Sequence, residues 1–78
     1  MSEHHLDARR ILCPLPVIRT QNMVKELKQG DVLTVVCTDP GTVNDIPTWS
    51  RINGHKILDI NKDNDEITIM IEVNGLES

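Results

Sequence analysis

The segment Cys13-Pro14-Leu15-Pro16 places a potential nucleophile immediately before a predicted helix. Proline is favoured in the first turn of a helix, where main-chain N–H groups lack acceptors within the helix. Cys13 is therefore predicted at or beside the N-cap, facing unpaired N–H groups and the positive end of the helix dipole, which favour a thiolate. Since Pro14 and Pro16 carry no N–H, we expect the Leu15 N–H to be the main donor that points at the sulfur.

Three arginines lie close to Cys13 in the sequence, and we expect them to stabilise its thiolate. Arg9 and Arg10 precede the cysteine, and Arg19 lies inside the predicted helix. A thiolate can attack the terminal sulfur of a persulfide and can then pass that sulfur to another thiol. This chemistry requires no metal or cofactor, and we predict neither. The alternative is that Cys13 is an inert, buried cysteine in a proline-flanked turn.

The other candidate residues have simpler structural interpretations. Cys37 lies in an apolar strand pattern, so a packed core thiol is favoured over a resolving thiol for Cys13. His4-His5 is predicted to be an exposed pair, because the two histidines and Cys13 fall short of a zinc signature. Asp45 is predicted to cap a helix rather than to recognise a partner, and Trp49 to be a core residue or an interface anchor.

Length and charge restrict the class of protein. A chain of 78 residues suffices for one domain, predicted over residues 1–78. The formal charge of −4 and the single aromatic residue disfavour direct binding of nucleic acid. The sequence shows neither a secretion signal nor an apolar run of membrane-spanning length, so a cytoplasmic, reducing location is predicted. A carrier that meets other proteins fits these properties.

The first strand and helix are predicted on either side of Cys13. A short strand is predicted over residues 6–9. A helix is predicted over residues 14–29, with one buried stripe and with Gly30 as its left-handed stop. The predicted stripe comprises Pro16, Thr20, Met23, Val24 and Leu27.

A second helix is predicted between two turn signals. Asp39-Pro40 supplies an N-cap and an N1 proline, and the helix runs to about Asn53 with Gly54 as its stop. Pro47 lies inside that stretch, where a proline removes a hydrogen bond. We therefore expect a kink, or a restart of the helix with Asp45 as a second cap.

Apolar, β-branched segments predict the remaining strands. Residues 32–38 form an inner strand with Cys37 on its core face. Residues 56–62 and 66–73 form an antiparallel hairpin across the polar turn Asp63-Asn64-Asp65. The core-facing residues of the last strand are predicted to be Ile67, Ile69, Ile71 and Val73. The order β-α-β-α-β-β predicts an α/β two-layer sandwich, with a mixed four-stranded sheet and both helices on one face.

Short motifs are distributed along the whole chain. They are Leu6-Asp7-Ala8, Cys13-Pro14-Leu15-Pro16-Val17, Gly30-Asp31, Asp39-Pro40, Asp45-Ile46-Pro47 and Trp49. Together, over residues 6–73, they resemble the TusA-like (SirA-like) sulfur-carrier family. Two positions depart from the family pattern. Arg10-Ile11-Leu12 occupies the place where members often have a glycine, and Thr38 replaces the first acid of a common Asp-Asp-Pro motif.

The resemblance implies a persulfide on Cys13 and transfer of its sulfur between proteins. The expected partners are a sulfur donor of the cysteine desulfurase or rhodanese type and a sulfur-acceptor protein. Such a protein is a sulfurtransferase-type carrier that acts as a stoichiometric relay rather than by independent turnover. Family members serve tRNA thiolation, molybdenum cofactor synthesis and sulfur oxidation, and the motifs do not choose among these pathways. The alternative is a regulatory or adaptor domain with the same fold and no sulfur transfer.

Overall fold

The computed structural model describes residues 2–12 and 15–75, which contain strands and helices in the predicted order. The elements are β1 (Glu3–Ala8), α1 (Leu15–Val24), β2 (Val32–Cys37), α2 (Thr42–Ile52), β3 (Lys56–Asp63) and β4 (Glu66–Glu72). The sheet order is β1-β2-β4-β3, with β1 parallel to β2 and the other neighbouring strands antiparallel. The predicted α/β sandwich with a mixed four-stranded sheet is confirmed.

One face of the sheet packs against both helices to form the core. Every second residue of β2 and of β4 is buried, as expected for strands with one covered face. Val24 of α1 and Ile46 of α2 belong to the same buried cluster, so both helices cover this face. The buried apolar residues are Ala8, Val24, Leu33, Val35, Cys37, Ile46, Ile67, Ile69, Ile71 and Val73. They include all four core positions predicted in the last strand.

β1 begins earlier than predicted, at Glu3 rather than at residue 6, and ends at Ala8. Its first residues pair in parallel with β2. They are Glu3, His4 and His5, which show no apolar alternation that would predict a strand. His4 is half-buried, and its Nε2 lies 3.6 Å from Oδ2 of Asp31. The prediction of an exposed histidine pair is therefore wrong for His4, whereas His5 is exposed.

α1 ends at Val24, although the sequence predicted an end at Gln29. The Glu26 and Leu27 N–H groups each donate at 3.0 Å to the carbonyl three residues earlier, and these bonds tighten the turn after Val24. Further on, the Asp31 carboxylate accepts the Lys28 N–H at 3.0 Å and so replaces a helical carbonyl as its acceptor. Gly30 does have a positive φ, of 91°, but it lies in the turn before β2 rather than at the end of the helix.

α2 is continuous through Pro47, so the alternative of a restart capped by Asp45 is wrong. A proline in a helix removes one N–H donor, and here that loss does not end the helix. Asp45 instead lies in the first turn of α2, where a carboxylate interacts favourably with the helix dipole. The prediction of Asp39 as the N-cap is also wrong, because Gly41 is the N-cap and no side chain caps the helix. The Asp39 carboxylate instead accepts the Gly41 N–H at 2.9 Å, in the turn before α2.

α2 ends in the left-handed turn that Gly54 predicted. Gly54 has a φ of 81°, and its N–H donates to the Arg51 carbonyl at 3.3 Å. The next N–H, of His55, donates to the Ser50 carbonyl at 2.7 Å. These two bonds form a Schellman motif, which satisfies carbonyl groups at the end of the helix. The turn also places the His55 ring beside Trp49, with 5.1 Å between the ring centroids.

Candidate functional site

Cys13 and Pro14, the centre of the predicted site, lie outside the described residues. The chain on both sides of them is described. β1 ends at Ala8 and a short turn leads to Leu12, while α1 begins at Leu15. The helix therefore starts before Pro16, and Cys13 precedes its first assigned residue by only two positions.

Two side-chain acceptors hold the turn after β1. Asp7 Oδ1 accepts the Arg9 N–H at 3.1 Å, and Thr38 Oγ1 accepts the Arg10 N–H at 2.8 Å. Arg10 has a φ of 64°, in the left-handed region that residues with a Cβ rarely adopt. Glycine adopts this conformation without steric cost. The turn thus holds Arg10 in a conformation that is typical of glycine.

The Leu15 N–H is engaged within the main chain. It donates to the Leu12 carbonyl at 3.0 Å, a bond between residues three positions apart. The prediction that this N–H is the main donor to the Cys13 sulfur concerns a contact outside the described residues and stays a prediction. The missing N–H groups of the two prolines are evident from the sequence, whereas the Leu12 carbonyl as a local acceptor is not. Beyond Pro16, Val17 carries the next main-chain N–H of the first turn.

Arg9 is bound to carboxylates on the outer face of the sheet. Its Nε lies 2.9 Å from Asp7 Oδ1, and its Nη1 lies 3.3 Å from Glu66 Oε2. The hydrogen bonds with Arg9 lower the pKa of Asp7 to about 2, and the same contacts raise the pKa of Arg9. Arg9 is therefore paired with two carboxylates, and its predicted support of the Cys13 thiolate stays a prediction. For Arg10 and Arg19, support of a thiolate remains a prediction.

Exposed apolar side chains lie next to Cys13 in the sequence. Leu12 is 76% exposed, Leu15 is 47% exposed and Ile18 is 44% exposed. The opposite side of α1 is buried against the sheet and includes Pro16 and Thr20, as the predicted stripe requires. The first turn of α1 thus buries one side and leaves leucine and isoleucine on the other.

A groove of about 430 Å³ lies between the two helices. Val17 of α1 lines one side, and Trp49 and Ile52 of α2 line the other. Ile52 is 77% exposed, and Trp49 is half-buried. Asp45 is exposed at the same groove. The alternative of Trp49 as an interface anchor therefore fits its position better than a place deep in the core.

Cys37 has the sealed environment that its strand pattern predicted. It is fully buried, and its Sγ lies 2.9 Å from Thr42 Oγ1. The Thr42 hydroxyl donates to the Asp39 carbonyl at 2.7 Å, so the Cys37 S–H donates to Thr42. The Ile67 carbonyl is a second acceptor, at 3.5 Å. Burial raises the pKa of this thiol, which confirms a packed core cysteine.

Within residues 2–12 and 15–75, no three side chains of His, Cys, Asp or Glu are grouped so that they could hold a metal ion. Neither helix in the described part of the chain is long and apolar enough to cross a membrane.

The β-α-β-α-β-β sandwich and the Cys13-Pro14-Leu15-Pro16 segment at the start of α1 agree with the class of small sulfur carriers that the sequence resembles. Residues 4–73 match the family model described as Sulfurtransferase TusA. The chain belongs to this family, and the resemblance found in the sequence is confirmed.

Individual relatives agree with this assignment. The YrkI protein of Bacillus subtilis strain 168 is 37% identical over 71 residues, which cover 91% of this chain and 95% of the relative. Sulfur carrier protein TusA of Buchnera aphidicola subsp. Baizongia pistaciae is 36% identical over 56 residues, or 72% of this chain and 71% of the relative. Sulfur carrier protein TusA of Allochromatium vinosum is 29% identical over 70 residues, or 90% and 92%. These names support a sulfur-carrier role for the chain.

Proposed function

We propose that this protein accepts sulfur as a persulfide on Cys13 from a donor protein and passes it to an acceptor protein. Membership of the sulfurtransferase family over residues 4–73 carries the proposal, together with the position of Cys13 immediately ahead of α1. Cys37 is unsuited to the role, because its thiol is buried and hydrogen-bonded. Because the relay needs reduced thiols, we place it in the cytoplasm.

Each transfer conserves charge and the oxidation state of sulfur. The Cys13 thiolate attacks the outer sulfur of a donor persulfide, R–S–S–H. A bond forms between Cys13 Sγ and that sulfur, the S–S bond of the donor breaks, and the donor leaves as a thiolate. In the second step, a thiolate of the acceptor attacks the outer sulfur of the Cys13 persulfide, and the Cys13 thiolate leaves. The protein is therefore a stoichiometric relay that requires no external oxidant or reductant.

The partner proteins must cover the residues that flank Cys13. Bond formation brings two sulfur atoms to about 2 Å, so the surface around the partner's thiol must contact the neighbours of Cys13. Leu12 and Leu15 are exposed apolar neighbours of Cys13 in the sequence, Ile18 is exposed on α1, and Ile52 is exposed at the groove between the helices. We therefore expect donor and acceptor to present apolar side chains beside their reactive cysteines.

Sulfur loading tests the proposal directly. The full chain is incubated with a cysteine desulfurase and L-cysteine, and its mass is measured before and after reduction. We expect a gain of one sulfur atom that is lost on reduction and that maps to the peptide containing Cys13. If the folded wild-type chain gained no sulfur from either a desulfurase or a rhodanese, the regulatory or adaptor alternative would replace the carrier function.

A further inference from the structure

We propose that Thr38 is a positioning residue for sulfur transfer, which acts by holding the turn that leads into Cys13. The inference rests on the proposed function, because it assigns Thr38 to the site built around that cysteine. The contact that carries it is the hydrogen bond from the Arg10 N–H to Thr38 Oγ1, at 2.8 Å. It joins residues that are distant in the sequence, and the sequence indicated Thr38 only as a departure from the family pattern.

Thr38 directly follows β2, at the end where β1 and β2 stop pairing. Ala8 of β1 and Cys37 of β2 form the final pair of their ladder. The hydrogen bond between Arg10 and Thr38 thus continues the connection between the two strands after the main-chain ladder ends. A side-chain hydroxyl performs there the role that a main-chain carbonyl performs within the sheet.

The segment that carries Thr38 is fixed on its other side as well. The carbonyl of Asp39 accepts the Thr42 N–H at 3.0 Å and the Thr42 hydroxyl at 2.7 Å. Thr38 is therefore held between the buried end of β2 and the turn that leads into α2. A hydroxyl on such a rigid support can hold a neighbouring turn more precisely than one on a mobile loop.

Arg10 needs such support because of its backbone conformation. A φ of 64° is unfavourable for a residue with a Cβ, whereas glycine holds it without help. If the Arg10 N–H had only water as its acceptor, the turn could relax toward negative φ and displace residue 12 and the cysteine after it. The Thr38 hydroxyl therefore stabilises a backbone conformation that a residue with a Cβ disfavours.

Thr38→Val tests this role, since valine keeps the shape of threonine and lacks the acceptor. We expect hydrogen-exchange protection of the Arg10 N–H to fall by about two- to tenfold, the range that one neutral hydrogen bond contributes. The rate of sulfur loading from a cysteine desulfurase with L-cysteine should fall by a similar factor. Thr38→Ser should stay within about twofold of wild type, because serine retains the acceptor. Thr34→Val, on the outer face of β2, serves as the matched control and should change neither quantity.

A double variant separates positioning from general destabilisation. In an Arg10→Gly background the effect of Thr38→Val on loading should shrink below about twofold, because glycine holds the turn unaided. Wild-type protection and loading in Thr38→Val would overturn the positioning role, and so would equal losses in the valine and serine variants. A wild-type chain that accepts no sulfur would overturn the proposed function itself, which is a different result from a loading-competent chain that tolerates Thr38→Val.

Discussion

The surroundings of Cys37 differ from the described residues that flank Cys13 in the sequence. The Cys37 thiol is sealed among strand residues and donates to Thr42. Beside Cys13, by contrast, Leu12 and Leu15 are exposed, and short hydrogen-bonded turns hold the main chain. Packing keeps one thiol neutral and inaccessible, whereas the neighbours of the other are open to a protein partner. The burial of Cys37 therefore leaves Cys13 as the proposed sulfur carrier.

The largest difference in sulfur loading is expected between the variants in which Cys13 or Cys37 is replaced by serine. Cys13→Ser should fold normally, because serine is a competent N-cap, and should gain no sulfur, because the nucleophilic thiol is gone. Cys37→Ser should load sulfur like the wild type. Mass spectrometry after incubation with a desulfurase measures both variants. Uptake by Cys13→Ser at the wild-type level would contradict the assignment of the site, and loss of uptake in a stable Cys37→Ser would require a mechanism with two thiols.

The free energy of unfolding of Cys37→Ser tests how well the core accommodates a hydroxyl at this position. A serine hydroxyl buried without a partner would cost about 1–3 kcal/mol. Thr42 Oγ1 and the Ile67 carbonyl lie beside Cys37 Sγ, so the new hydroxyl has acceptors within reach. We therefore expect a loss near the lower end of that range, about 1 kcal/mol, in urea unfolding. A loss well above 3 kcal/mol would show that the shorter C–O bond fails to reach these acceptors.

Alkylation across a pH series should separate the two thiols in the folded chain. Cys13 should react with iodoacetamide at neutral pH, and Cys37 should react at least about 100-fold more slowly, because it is buried and its pKa is raised. Equal rates in the folded state would contradict this difference.

The raised pKa of Cys37 also predicts how stability depends on pH. Above the ordinary pKa of a cysteine, at about pH 8.5, the unfolded chain releases a proton that folded Cys37 retains, so stability falls as pH rises. Cys37→Ala should reduce this alkaline loss in urea unfolding measured from neutral to alkaline pH. An unchanged pH dependence in that variant would show that other groups cause the loss.

Two isoleucines on α2 provide a comparison of core and surface within one helix. Ile46 is fully buried in the core, whereas Ile52 is exposed beside the groove. Ile46→Ala should reduce the free energy of unfolding by about 2–5 kcal/mol, and Ile52→Ala should change it by less than about 0.5 kcal/mol. Ile52→Ala should instead slow sulfur loading from a protein donor. Similar losses of stability in the two variants would contradict the difference in packing.

The sequence predicted most of the fold because alternation and turn residues are local signals. The alternating residues from Ile67 to Val73 identified the core face of the last strand, and Gly54 identified the end of α2. The start of β1 was missed because it depends on pairing with β2, which no local pattern reveals. The early end of α1 was missed because the Asp31 carboxylate competes for the Lys28 N–H.

The candidate site was predictable only as far as its motif extends. The proline-flanked segment and the family motifs identified Cys13 as the candidate residue. The persulfide on Cys13 remains a prediction. The engagement of the Leu15 N–H by Leu12 depends on the geometry of the turn rather than on residue types. The contact between Arg10 and Thr38 joins two loops that approach only because β1 and β2 are parallel neighbours. Contacts of this kind depend on which strands are neighbours in the sheet. Local sequence patterns predict the strands and helices better than they predict this arrangement.

A small gain in stability is expected from Arg10→Gly. Removing the Cβ relieves left-handed strain worth roughly 1–2 kcal/mol, but the greater freedom of glycine in the unfolded chain offsets about 0.5–1 kcal/mol of that gain. The net gain should be about 1 kcal/mol or less in urea unfolding. Asn64→Gly, at a φ of 55° in the turn between β3 and β4, is the matched control away from the site. It should give a smaller gain, because asparagine tolerates this conformation better than arginine does. A clear loss of stability in Arg10→Gly alone would show that the arginine side chain, rather than its backbone, holds the turn beside Cys13.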